Sequence, residues 1–274
     1  MINSPGHTRS TPGDIGNTPG DPNGTSPTEG LPPVVDRATF QSRLDELRIR
    51  EKAHTRDGDE IAAERRRLPM VEVPAAAELI GPDGPVTLLD AFEGRSQLIA
   101  YYFMWHHDHS AADQCEGCTW CGGHVQELSY LHSRDISFAV LCQGPYEQSR
   151  RYRDFMGWQA PWYSAQPSVD TLLAGRQVGL FHLVCYVRDG DRVFETYWTT
   201  GRGAEVMEYS YALMDLTVHG RQESWQDVPA GWPQPWPIDG KLLSENGRPL
   251  SQWSRLAAGH SDDLDQSDRQ RQNG

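Results

Sequence analysis

Apolar residues concentrate in two short, nearly unbroken runs, 97–105 (QLIAYYFMW) and 136–142 (ISFAVLC). Hydrophobic side chains at both odd and even positions mark strands covered on both faces. Between the runs, the stretch 119–133 keeps Val125, Leu128 and Leu131 in one stripe and predicts a single helix. The segment 145–156 predicts another. The runs 180–187 and 193–198 flank Arg188-Asp189-Gly190-Asp191 and predict a hairpin, and 204–214 predicts a closing helix. The order β-α-β-α-β-β-α predicts an α/β sandwich of three layers.

Upstream, Asp36 and Thr39 are N-cap candidates for a helix on which Phe40, Leu44, Leu47 and Glu51 share one face. Asp57-Gly58 is expected to interrupt it and Pro69 to end it. A short strand at 79–80, a turn and a small element over 86–92 follow. The expected organisation is a disordered tail at 1–35, a helical arm at 36–69, an α/β domain at 70–240 and a mostly disordered C-terminal tail at 241–274. The first tail holds seven Pro, six Gly and eight Ser or Thr, too little apolar surface to offset the entropy of ordering. The stretch 225–236 (WQDVPAGWPQPW) reads as an ordered arm and a candidate homodimer contact.

Charge narrows the partners. With 38 acidic against 25 basic residues the net charge is −13, which argues against nucleic acid. No apolar run approaches the roughly 18 residues of a membrane span, and the first residues lack a secretory pattern. No membrane partner and a cytoplasmic location are expected.

Three of the five cysteines fall within seven residues, Cys115-Glu116-Gly117-Cys118-Thr119-Trp120-Cys121, where a strand gives way to a helix. A helix N-terminus favours a thiolate, so Cys115 is the expected nucleophile and Cys118 the expected resolving thiol. A zinc knuckle and unreactive surface thiols are the alternatives. Cys142 and Cys185 lie in apolar strands and read as small core residues. His182, alternating with apolar neighbours, reads as a satisfied strand histidine. Trp105, Trp120, Trp158 and Trp162 are candidate walls of a substrate pocket.

The segments GRSQLIAYYFMW, CEGCTW, LHSRDISFAVLCQGPYEQSRRYRDFMGWQAPWYS and VRDGDRVFETYWTTGRG, with ERRRLPMVEV upstream, resemble the bacterial DUF899 family over about residues 40–236. The resemblance implies a thioredoxin-like fold, a dithiol–disulfide oxidoreductase, and Cys115 and Cys118 as the dithiol pair. The expected partner is a small-molecule or thiol/disulfide substrate, and no cofactor is certain on this reading.

The chain departs from that family pattern at His106-His107-Asp108-His109, at Cys121 and at His124. No proline precedes the strand at Leu183, where a thioredoxin carries one that guards its dithiol from metals. These departures raise a second expectation of another class: a copper-dependent oxidase or metal-binding protein, with copper ahead of zinc. Its candidate ligands are His106, His107, His109, Cys115, Cys118, Cys121 and His124. On one continuous helix Cys115 and His124 would lie about 13 Å apart, so sharing an ion requires the helix to begin near Thr119.

Overall fold

The computed structural model describes residues 30–234 and 243–264. Residues 1–29 of the first expected tail, 241–242 and 265–274 of the second, and the end of the 225–236 arm lie outside the described residues.

Helix α1 (Arg37–Arg65) is one uninterrupted element of 29 residues. Asp36 caps it by accepting the Thr39 N–H at 2.8 Å. The expected break at Asp57-Gly58 does not occur, because a single exposed glycine costs only about 1 kcal/mol against alanine. No residue of α1 is buried, and Phe40 and Leu47 remain exposed.

The chain then forms β1 (Val71–Val73), β2 (Glu78–Gly81), β3 (Gly84–Thr87), β4 (Gln97–Phe103), α2 (Glu116–His124), α3 (Ser129–His132) and β5 (Ile136–Cys142). It continues through α4 (Tyr146–Met156), β6 (Trp162–Ser164), α5 (Val169–Leu172), β7 (His182–Asp189), β8 (Arg192–Thr199) and α6 (Tyr209–Met214). After the gap come β9 (Ser244–Glu245), β10 (Arg248–Pro249) and α7 (Leu250–Ala257).

One sheet of eight strands, in the order β1-β8-β7-β4-β5-β6-β2-β3, organises the domain. The central strand β4 runs parallel to β5, from Gln97 opposite Ile136 to Phe103 opposite Cys142. Its other edge pairs antiparallel with β7, which forms the predicted hairpin with β8. Two parallel strands beside an antiparallel hairpin, with helices crossing between them, make a thioredoxin-like α/β sandwich. Strands β1 and β6 are additions that the hydrophobic pattern leaves unmarked.

The pleat of β4 divides the core. Tyr101 and Phe103 face the layer of α2 and α4, packing with Cys118, Tyr152, Trp158 and Trp162. Leu98, Ala100 and Tyr102 face the opposite layer, with Leu88, Phe92 and Leu172. Both faces of the strand are thus covered, as its unbroken apolar run requires.

Three further expectations need correction. The helix expected over 119–133 is two helices, with Val125 and Leu128 packing on the core from the link between them. The helix expected over 204–214 is a 3-10 segment, Gly201–Met207, followed by α6. The 241–274 stretch, expected to be mostly without structure, carries over 243–264 a β9–β10 hairpin and α7. Gln252 of α7 is fully buried and donates to the Ala111 carbonyl at 2.8 Å and to the Tyr152 hydroxyl at 2.7 Å. Arg255 donates to the Phe155 carbonyl at 2.7 Å. No helix among the described residues is long and apolar enough to cross a membrane.

Candidate dithiol site

Strand β4 delivers the chain at Met104 to a loop that returns into α2, and Cys115 stands at the N-cap of that helix. Its sulfur accepts the Cys118 N–H at 3.4 Å. The helix therefore begins at Glu116, not near Thr119, and Cys118 and Cys121 lie on it. All five cysteines are free thiols.

The two sulfurs of the C-x-x-C occupy opposite environments. Cys115 is half-buried and its pKa is lowered to about 6. Hydrogen bonding from the Cys118 thiol is the largest cause, helped by the Cys118 and Gly117 N–H groups and by the charge of His106, against some desolvation. Cys118 is fully buried, and desolvation and the neighbouring Cys115 push its pKa well up. The Met104 N–H points to the Cys118 sulfur at 3.4 Å.

A directed chain of hydrogen bonds braces this N-terminus. Thr119 Oγ1 donates to the Cys115 carbonyl at 2.8 Å, so the Tyr152 hydroxyl, 2.6 Å from Thr119 Oγ1, must donate to it. Tyr152 in turn accepts from Gln252. The cap of the candidate nucleophile is thereby tied through Thr119 and Tyr152 to α7.

The loop ahead of Cys115 is clamped by buried Gln114. Its Oε1 accepts the His106 N–H at 3.0 Å, and its Nε2 donates to the His106 carbonyl at 2.9 Å. His106 Nδ1 lies 2.7 Å from the Asp113 carbonyl, and since a carbonyl only accepts, Nδ1 carries a proton. His106 and His109 meet edge-on at 5.6 Å between ring centroids and line, with Met104 and Cys115, an open cavity of about 640 Å³. His107 and Asp108 are exposed.

The expected shared metal site does not form. Among the described residues no three His, Cys, Asp or Glu side chains converge to hold an ion. The candidates divide by what each already bonds. Cys121 donates to Glu208 at 2.7 Å, and Tyr101 lies beside Cys118 and Cys121. His124 Nε2 meets Ser210 at 2.8 Å, and burial lowers the pKa of its ring. Only His106, His109 and Cys115 share one cavity.

Of the four tryptophans expected to wall a pocket, three are core. Trp158 stacks on Trp162 at 5.8 Å, both pack on Phe103, and Trp105 meets Tyr152 edge-on. Trp120 lines two cavities beside α2. Cys142 is a core thiol, raised to about 12 by burial. His182 is buried, its Nε2 donating to the Gln177 carbonyl at 2.9 Å. Sequence reasoning missed Gln114, Thr119, Tyr152, Glu208 and Gln252. Hydrophobic patterning assigns such polar residues to solvent, and only their spatial partners reveal them.

The model of the family described as bacterial protein of unknown function (DUF899) matches residues 29–238, and the chain belongs to that family. No curated protein matches it. Solved structures similar to it include peroxidoxin BcpB from Mycobacterium tuberculosis, at 12% identity over 52% of this chain and 94% of that one, with a TM-score of 0.33. Another is a mutant of Xanthomonas campestris peroxiredoxin Q, at 14% identity over 52% and 96%, with a TM-score of 0.36.

Proposed function

We propose that this DUF899 member is a thiol–disulfide oxidoreductase working through Cys115 and Cys118. One observation carries the reading: two thiols a helical turn apart, one with its pKa lowered to about 6 at the N-cap and the other buried with its pKa pushed well up. At neutral pH the first is a thiolate and the second a protonated donor beside it. A cytoplasmic location fits this chemistry, since reducing thiol pools there regenerate a dithiol.

In the reducing direction the Cys115 thiolate attacks one sulfur of a substrate disulfide, R–S–S–R. The Cys115–S–S–R bond forms, the substrate S–S bond breaks, and the first RS⁻ leaves and takes a proton from solvent. Cys118 now faces a neutral mixed disulfide in place of a thiolate, which removes one of the causes that raise its pKa. Its sulfur attacks Cys115 while its proton passes to the second departing RS⁻. Two electrons move from the dithiol to the substrate, giving two RSH and a Cys115–Cys118 disulfide, which a dithiol reductant reopens.

The test uses bis(hydroxyethyl) disulfide as substrate. Cys115→Ser abolishes turnover, and Cys118→Ser stops at a mixed disulfide, read by mass spectrometry as one hydroxyethylthio adduct on Cys115. Turnover surviving in Cys115→Ser overturns the assignment.

A further inference from the structure

Cys115 opens onto more than its own cavity. That hollow reaches Glu116 and Pro249, and both residues also border a second one of about 380 Å³. Trp120, Leu243 and Leu250 are shared between this second hollow and a third of about 310 Å³, backed by Tyr211 and Met214. The three lie in series beside α2, each bordered by residues of the 243–250 segment. Trp120 stands five residues beyond Cys115, about 7.5 Å along the helix axis. Its ring is held by stacking on Tyr211 at 5.3 Å and by edge contact with His124 at 5.3 Å.

We infer that this groove receives the uncharged, apolar or aromatic tail of a small organic disulfide whose reactive sulfur sits at Cys115. The inference rests on the dithiol reading above and adds to it the class of substrate. Two features select that tail. The walls beyond Glu116 include Trp120, Tyr209, Tyr211, Leu243 and Leu250, which gain from covering apolar surface, together with Glu223 and an Arg221 guanidinium already paired with Glu205 and Asp215. The Glu116 carboxylate at the junction, on a chain of net charge −13, opposes an anionic tail. Leu243, Pro249 and Leu250 also lie beyond the residues the family model matches, 29–238, so this wall is supplied by the chain's C-terminal strap.

The experiment compares two disulfides on the full chain, bis(hydroxyethyl) disulfide and the mixed hydroxyethyl phenylbutyl disulfide. The expected kcat/KM is about tenfold higher for the phenylbutyl probe, the gain from covering part of one ring. Trp120→Ala and, separately, Leu250→Ser bring the ratio of the two probes towards unity. Leu250 is partly exposed, so its variant is a safeguard should Trp120→Ala fail to fold. Equal kcat/KM for the two probes in the unmodified protein overturns the groove and leaves the dithiol reading standing. A preference that persists in both variants overturns the groove as its source. Turnover of neither probe overturns the dithiol reading and the groove with it.

Discussion

Cys115 and Cys118 carry the same side chain one helical turn apart, and position alone separates their acidities. The N-cap gives Cys115 N–H groups and a thiol donor, while burial denies Cys118 any way to hold a charge cheaply. Because the thiolate is the reactive form, the rate of Cys115 alkylation by iodoacetamide should rise with pH, pass half its maximum near 6 and then level off. A cysteine at the ordinary value of about 8.5 would climb well beyond that point. Cys118→Ala should move the midpoint up further than His106→Ala, since the Cys118 hydrogen bond is the larger cause and the His106 charge a smaller one. A midpoint unmoved in both variants would contradict this account of the thiolate. The motif spacing makes the pair legible in the sequence. The causes were less so, because Gln114, which pins His106 in place, is a buried polar residue that no periodicity distinguishes from a surface one.

Helix α2 is short, and its glycines divide its two sides. A Cβ on Gly122 would stand 3.0 Å from the Trp158 ring, whereas one on Gly117 meets nothing within 4 Å. Gly122→Ala should therefore destabilise the protein by about 1–3 kcal/mol through overpacking. Gly117→Ala should stabilise it by about 0.4–1 kcal/mol by restricting the unfolded chain. Urea midpoints of the two variants, shifted in opposite directions, check the placement of α2 against Trp158, just beyond the end of α4; shifts of the same sign would not fit it. At this scale the sequence is most readable where burial is two-sided. β4 and β5 appear as apolar runs because both faces of the sheet are covered, and the β7–β8 hairpin because Gly190 supplies its turn with a positive φ of 60°. It misleads where apolar residues pack from irregular chain. Val125 and Leu128 keep helical spacing, yet they approach the core from the link between α2 and α3. The aromatic residues near the cysteines mislead similarly, since Trp105, Trp158 and Trp162 interlock as core while Trp120 stands beside a cavity.

Over the whole molecule, the part least visible in the sequence is the part that closes the candidate site. Helix α7 docks through Gln252, which is fully buried yet polar, and through the Arg255 guanidinium on the Phe155 carbonyl. A hydrophobic pattern has nothing to register in such contacts, and the polar composition of 241–274 reads as unstructured chain. The hydrogen bonds of Gln252 nevertheless connect two things the site needs. They hold the Ala111 carbonyl in the loop ahead of Cys115, and they orient Tyr152, whose hydroxyl supports Thr119 at the cap of α2. Gln252→Ala removes both donors and leaves the Ala111 carbonyl and the Tyr152 oxygen buried without them. The expected cost is about 1–3 kcal/mol in urea unfolding. The same variant should loosen the strap that borders the Cys115 cavity through Ser244, Gly247 and Pro249, so Cys115 alkylation at a fixed pH above its midpoint should speed up. Gln252→Glu separates the two effects. It keeps the size of the side chain and the oxygen that accepts from Arg248 Nη1 at 3.1 Å, but replaces the amide donor with a carboxylate oxygen facing the Ala111 carbonyl, so it loses the two donated hydrogen bonds without opening a cavity. Unchanged stability and unchanged alkylation in both variants would mean that α7 does not hold the site, and that the strap is only an appendage to the sandwich.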